Sequence, residues 1–238
     1  MSKKPVLKGD RVEIIYTDDV WKLLKEKRGR TIQIIECLNH YNIRSFVHGS
    51  VARGSVSQES DIDVVIPYVI PSFSVELALR EGLGINVFQK REIVHATPYH
   101  TPKAHILIDE LTTVTFPLTA LRSREHEFYA FGGKLDLNEL KTGKRVPGVD
   151  KRLILIEPSA NGHYEWPIFG RESEAARIIG VSINIVEERV KILLRRDDIG
   201  RTGTYLKRML QKDEIFEEVF KRIIDSDPVV RRRVQKDT

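Results

Sequence analysis

The chain has 238 residues, 41% hydrophobic and 31% charged, with a formal net charge of +5. It reads as a soluble globular protein with room for one large domain or two small ones and a sizeable core. Runs such as IRSFV and RLILIEP fall short of the roughly 20 residues a membrane helix needs. The opening MSKKPVLKGD lacks the apolar stretch of a secretory signal. The single Cys37 excludes an internal disulfide framework and a thiolate zinc centre. A cytoplasmic protein without a membrane role is expected.

In chain order, RVEIIY (11–16) is a strand candidate. Asp18 caps a helix through DVWKLLKEKR, with Gly29 as a break and a second helical pattern after it, marked by Ile32, Ile35 and Leu38. IRSFVH (43–48) and DIDVVI (61–66) read as strands with a small-residue loop between them, the second ended by Pro67. A helix follows over 74–82; REIVHAT, KAHILID and TTVTFPL give three strands; SREHEFYAF (123–131) is helical and stops at Gly132-Gly133. Residues 132–150 read as loop, KRLILIEP (151–158) as a further strand, and the chain from about 171 as helix to the end. The expected class is an α/β (α+β) domain, a mixed sheet with flanking helices, followed by a smaller helical domain. The expected division is 1–131, a connecting region 132–170, and 171–238.

The loop and second strand, GSVARGSVSQESDIDVVI, carry the chemistry. Residues i and i+2 of a strand face the same side, so Asp61 and Asp63 are neighbours. Two close carboxylates repel, and partial burial strengthens the repulsion, unless one is protonated or a cation lies between them. Hard oxygen ligands select Mg²⁺ or Mn²⁺, and Mg²⁺ usually takes one or two carboxylates and completes its shell with water and phosphate oxygens. Gly49 lets the backbone approach a bulky anion, Ser50 offers a hydroxyl, SVARG suits a first helical turn with free N–H groups, and Arg53 adds positive charge.

The combination of an apolar strand, Gly-Ser, a ten-residue interval and Asp-Ile-Asp resembles the signature of the DNA polymerase beta nucleotidyltransferase superfamily. It looks most like the minimal nucleotidyltransferases. The resemblance covers about 25 residues strongly and is compatible in pattern to about residue 118. It implies metal-dependent transfer of a nucleotidyl group from an NTP to an acceptor hydroxyl with release of pyrophosphate. Gly49 and Ser50 would hold the β- and γ-phosphates, with Arg53 near them, and Asp61 and Asp63 the metal ions. The family normally adds a third carboxylate on a later strand. Asp109 is the candidate and Glu92 the outsider. KAHILIDELTTVTFPL also reads as a hairpin with Asp109 and Glu110 at its turn, and then Thr113 and Thr115 occupy the central returning positions. Without a third acid the domain would be catalytically weak, or a nucleotide-binding, nucleic-acid-associated regulator.

The seven histidines show no HExxH spacing. His48 adjoins the Gly-Ser loop, where a packed strand-end histidine is the plainer reading. FGGKLDLNELKTGKRVPG lacks P-loop spacing. Ala176, Gly180 and Val186 have helix-turn-helix spacing over 172–196, with DDIGRTGTY in the place of a wing; plain helical packing accounts for them equally. Residues 189–238 hold 14 Lys and Arg against 9 Asp and Glu, so all of the net charge lies there. Arg195, Arg196, Arg201, Lys207, Arg208 and Arg231–Arg233 would meet RNA, DNA or a protein acceptor.

Overall fold

The computed structural model describes residues 4–84, 88–199 and 203–235; Arg201 and the centre of the expected wing, 200–202, lie outside the described residues. The elements run β1 (Val12–Ile15), α1 (Asp18–His40), β2 (Phe46–His48), α2 (Ser50–Arg53), β3 (Ile62–Val65), α3 (Ser72–Leu83) and β4 (Lys90–His95). They continue with β5 (Lys103–Asp109), β6 (Thr112–Pro117), α4 (Ser123–Phe131), β7 (Lys134–Leu135), α5 (Leu137–Lys141) and β8 (Gly148–Val149). The chain ends with β9 (Ile154–Ser159), β10 (Gly162–Pro167), α6 (Glu172–Ile179), α7 (Ile183–Asp198), β11 (Leu206–Met209), α8 (Phe216–Ser226) and α9 (Pro228–Gln235). The fold is mixed α/β.

The chain forms two compact units and enters each three times: unit one is 1–30, 47–61 and 123–202, and unit two is 31–46, 62–122 and 203–238. These units do not coincide with the linear division expected from composition. Contacts made across long sequence separations set them. Gly29 does not break α1. A lone glycine costs about 1 kcal/mol in a helix, and burial of Leu24, Ile34, Ile35 and Leu38 along the helix outweighs that.

Unit one contains the antiparallel sheet β1-β10-β9-β8 and the two-stranded pairing of β2 with β7, Val47 opposite Leu135 and His48 opposite Lys134. Its core joins Leu153, Leu155, Trp166 and Ile168 to Ala175, Ala176, Ile185, Val186 and Val190 of α6 and α7. Gly180 ends α6 in the left-handed region, at φ 78°. The helix pair packs on α4, and Ser182 donates from its N–H and hydroxyl to Glu127 at 3.1 and 2.8 Å. Residues 206–209, past the expected wing, form β11, a strand in the sheet of unit two.

Unit two holds strands in the order β11-β4-β5-β6-β3. β3 runs parallel to β6, and the other neighbours are antiparallel. Phe116 meets Phe216 of α8 edge-on at 5.5 Å, so residues near the C-terminus complete this core.

Candidate active site

In unit one, β2 leads into Gly49, whose φ of 86° and ψ of −139° lie where only glycine is at ease. The Gly49 N–H donates to the Gly133 carbonyl at 2.9 Å. The short α2 starts at Ser50. Its first backbone bond is Arg53 N–H to Gly49 O at 3.1 Å, and helix geometry gives the N–H groups of Ser50, Val51 and Ala52 no intrahelical acceptor.

Four side chains fix this loop from behind, three of which carried no signal in the motif. Arg28 donates from Nε and Nη2 to Val51 O at 3.2 and 3.1 Å, and from Nη2 to Ala52 O at 3.2 Å. Tyr16 donates its hydroxyl to Gly54 O at 2.9 Å and contacts His163 Nδ1 at 2.7 Å. Lys27 reaches Ser60 O at 2.7 Å, holding the approach to Asp61. The fourth is Arg53. It is buried, with its guanidinium on Gly132 O and on Ser55 Oγ at 3.3 Å. Burial pushes both arginines down to about 10, against the attraction of Asp150 at Arg53 and with Arg145 adding to the depression at Arg28. Arg53 therefore braces the loop through the Gly132 carbonyl and the Ser55 hydroxyl.

Gly132 is also structural. A Cβ there would lie 2.3 Å from His48 Cε1, so the glycine makes room for the His48 ring. His48 packs against Phe128 and Tyr129, and its Nδ1 lies 3.1 Å from Tyr129 O.

Asp61 is exposed and closes this segment of unit one. In unit two, Asp63 is half-buried on β3, between the buried Ile62 and Val64. On β6, Thr113 stands opposite Asp63 and Thr115 opposite Val65. The hairpin reading of 103–117 is the one realised. Asp109 ends β5, exposed, and accepts from Leu111 N–H at 3.0 Å inside the turn. Its register partner is Thr112, which pairs with Ile62 and not with Asp63. Asp109 thus lies at the turn, one register position from the row that holds Asp63 and Thr113. Glu92 lies on β4, three strands from Asp63, and is ion-paired to Lys90 and Lys207.

Among the described residues no group of three or more His, Cys, Asp or Glu side chains forms a metal cage. Two carboxylates with hard oxygens are a donor set that suits Mg²⁺ when water and phosphate supply the other ligands.

Residues 29–103 match the family model of the nucleotidyltransferase domain. Over these residues the chain is similar to that family. The chain is also similar to a structure solved in work on the structural plasticity of Cid1 as a basis for its RNA terminal uridylyl transferase activity. The identity is 20% and the TM-score 0.30, over 43% of this chain and 33% of that one. The chain therefore spans about a third of that structure's length. No curated protein matches the sequence. No helix among the described residues is long and apolar enough to cross a membrane.

Proposed function

We propose that the protein is a metal-dependent nucleotidyltransferase that moves a nucleotidyl group from an NTP to an acceptor hydroxyl. The match of residues 29–103 to the nucleotidyltransferase domain carries this reading. Gly49 and Ser50 bind the β- and γ-phosphates through the loop's backbone N–H groups and the Ser50 hydroxyl. Arg28, Arg53 and Tyr16 keep that loop rigid, which limits the ordering cost of binding. Asp61 and Asp63, two positions apart, hold Mg²⁺. Bound there, the ion supplies charge stabilisation for the attacking and leaving oxygens of an in-line displacement. The acceptor oxygen bonds to the α-phosphorus, the bond to the bridging oxygen breaks, and pyrophosphate leaves.

A second reading, a nucleotide-binding regulator with weak catalysis, is favoured by one observation: Thr113 occupies the β6 position opposite Asp63. The deciding experiment is calorimetric titration with NTP and Mg²⁺, then incubation with α-labelled NTPs and cell extract. Binding that disappears in Asp61→Ala/Asp63→Ala, with label transferred to an acceptor, supports the enzyme. Binding without transfer supports the regulator. Binding unchanged in the double variant removes the metal assignment.

A further inference from the structure

The five-stranded sheet of unit two has two unlike faces. On one, Val64, Val114 and Ile106 form a fully buried row, and Phe116, Ala104 and Ile93 the next. The other face is polar. Asp63, Thr113, Leu107 and Lys90 form one row across β3, β6, β5 and β4. Glu92 follows Lys90 on the same face of β4, opposite His105, with Lys103 and Lys207 one row further on.

Glu92 is buried and sits between two ammonium groups, in contact with Lys90 and 3.3 Å from Lys207. One carboxylate shared by two lysines leaves net positive charge and holds two long, flexible side chains in place, lowering the entropy cost of presenting them. Burial drives His105 down to about 4, so it adds no charge near neutrality. Several of the arginines expected to meet a polyanion make contacts within the protein, while Arg195 and Arg196 are exposed. Arg231 bonds the Ile224 and Asp225 carbonyls, and Arg232 the Pro228 carbonyl. Arg233 is buried against Thr101, and Arg208 and Arg222 share Glu214.

From Asp63 to Lys90 is three strand spacings, about 14 Å. A ligand that touches both ends is extended and carries its negative charge away from its reacting group. A small alcohol is too short. A single strand with a terminal hydroxyl at one end and phosphodiesters upstream has this form, and the aliphatic surface of Leu107 between the two ends suits a base or sugar.

We propose that this polar face is a platform for single-stranded nucleic acid. Lys90 and Lys207, braced by Glu92, bind acceptor phosphates upstream of a hydroxyl delivered to the Asp63 end. The position of that hydroxyl rests on the nucleotidyltransferase reading; the lysine platform does not.

The test uses the full chain and a fluorescent single-stranded RNA with a free 3′ hydroxyl, followed by anisotropy across a salt series. Lys90→Gln/Lys207→Gln should weaken binding about tenfold or more at low salt and reduce the log–log salt slope by about 1.4, two phosphates at about 0.7 each. Lys207→Gln alone leaves Glu92 paired with Lys90 and should give about half that change in slope. Glu92→Gln, which removes the negative charge, should retain or tighten binding. Affinity and slope unchanged in a Lys207→Gln protein with wild-type circular dichroism would overturn the platform, as would tighter binding of an acidic peptide than of RNA. Mg²⁺–NTP titration on the same proteins separates the two ideas. Loss of RNA binding with intact NTP binding supports the platform, and RNA binding with this lysine dependence in a protein that binds no NTP leaves the platform standing while the nucleotidyltransferase reading falls.

Discussion

Thr113 of β6 stands directly opposite Asp63 of β3 in a parallel register. Thr113→Asp should therefore act in two directions. Without metal, a like charge across the strands costs about 1 kcal/mol of stability. With Mn²⁺ the added carboxylate becomes a ligand, so the rise in Tm on adding the ion should exceed that of wild type. Differential scanning fluorimetry with and without Mn²⁺ checks both; an equal rise in the two proteins argues against an ion at Asp63.

Ser50→Ala should weaken binding of a nucleoside triphosphate more than that of the monophosphate, since the loop is assigned to the terminal phosphates. Gly49→Ala meets no neighbouring atom, yet its φ of 86° strains any side-chain-bearing residue. A cost of about 1–3 kcal/mol is expected, with triphosphate affinity falling in parallel. Urea unfolding and calorimetry read the two effects separately.

Gly132→Ala places a methyl group 2.3 Å from the His48 ring and should destabilise unit one by about 2 kcal/mol. Adding His48→Ala should recover part of that loss, so the two changes are not additive. Additive losses in a double-mutant cycle would mean that the ring does not rest on Gly132.

His105 gives a pH dependence with a definite sign. Its ordinary value is 6.5 and burial lowers it to about 4 in the folded protein. The unfolded chain thus binds the proton first as pH falls. Stability from this group is complete above about 6.5 and is lost progressively down to about 4, by up to about 3 kcal/mol. His95 and His163 are lowered in the same direction, mainly by burial, and add to the trend. His105→Gln, which retains a partner for the Thr115 hydroxyl 2.9 Å away, should flatten the fall in urea midpoint between pH 6.5 and 4.

Arg53→Met should cost about 2–4 kcal/mol, because the Gly132 carbonyl loses a buried donor. Arg53→Lys should recover only part, since an ammonium group cannot reproduce the fork that serves Gly132 and Ser55 together. Chemical denaturation measures both.

The parts of the site that the sequence declared are those whose physics is local. Gly49, Ser50, Asp61 and Asp63 stand out in the sequence because glycine freedom and residue spacing act over a few positions, and the fold does place Gly49 at a positive φ. The parts that stayed hidden are held by distant residues. Arg53 is held by the carbonyl of Gly132, far away in sequence. The places of Asp109 and Thr113 are set by turn register. β11, LKRM, has the composition of an exposed helix, and only its pairing with β4 makes it a strand. β10 went unread because its neighbours β1 and β9, not its own sequence, supply its partners.

The pairing of β11 with β4 also sets an order in time. Leu206 faces His95 and Met209 faces Glu92, so the outer edge of the second unit's sheet is closed by a segment synthesised far later than the strand it covers. During translation β4 would wait as an unpaired edge, and the Phe116 side chain would wait for Phe216. Native structure here is delayed until residues 206–220 have been made, and a polypeptide released early leaves an adhesive edge. A chain stopped near residue 165 is thus expected to aggregate instead of persisting as a small domain, and pulse-labelled ribosome-bound chains should gain protease resistance in this unit only after residue 220 has left the exit tunnel.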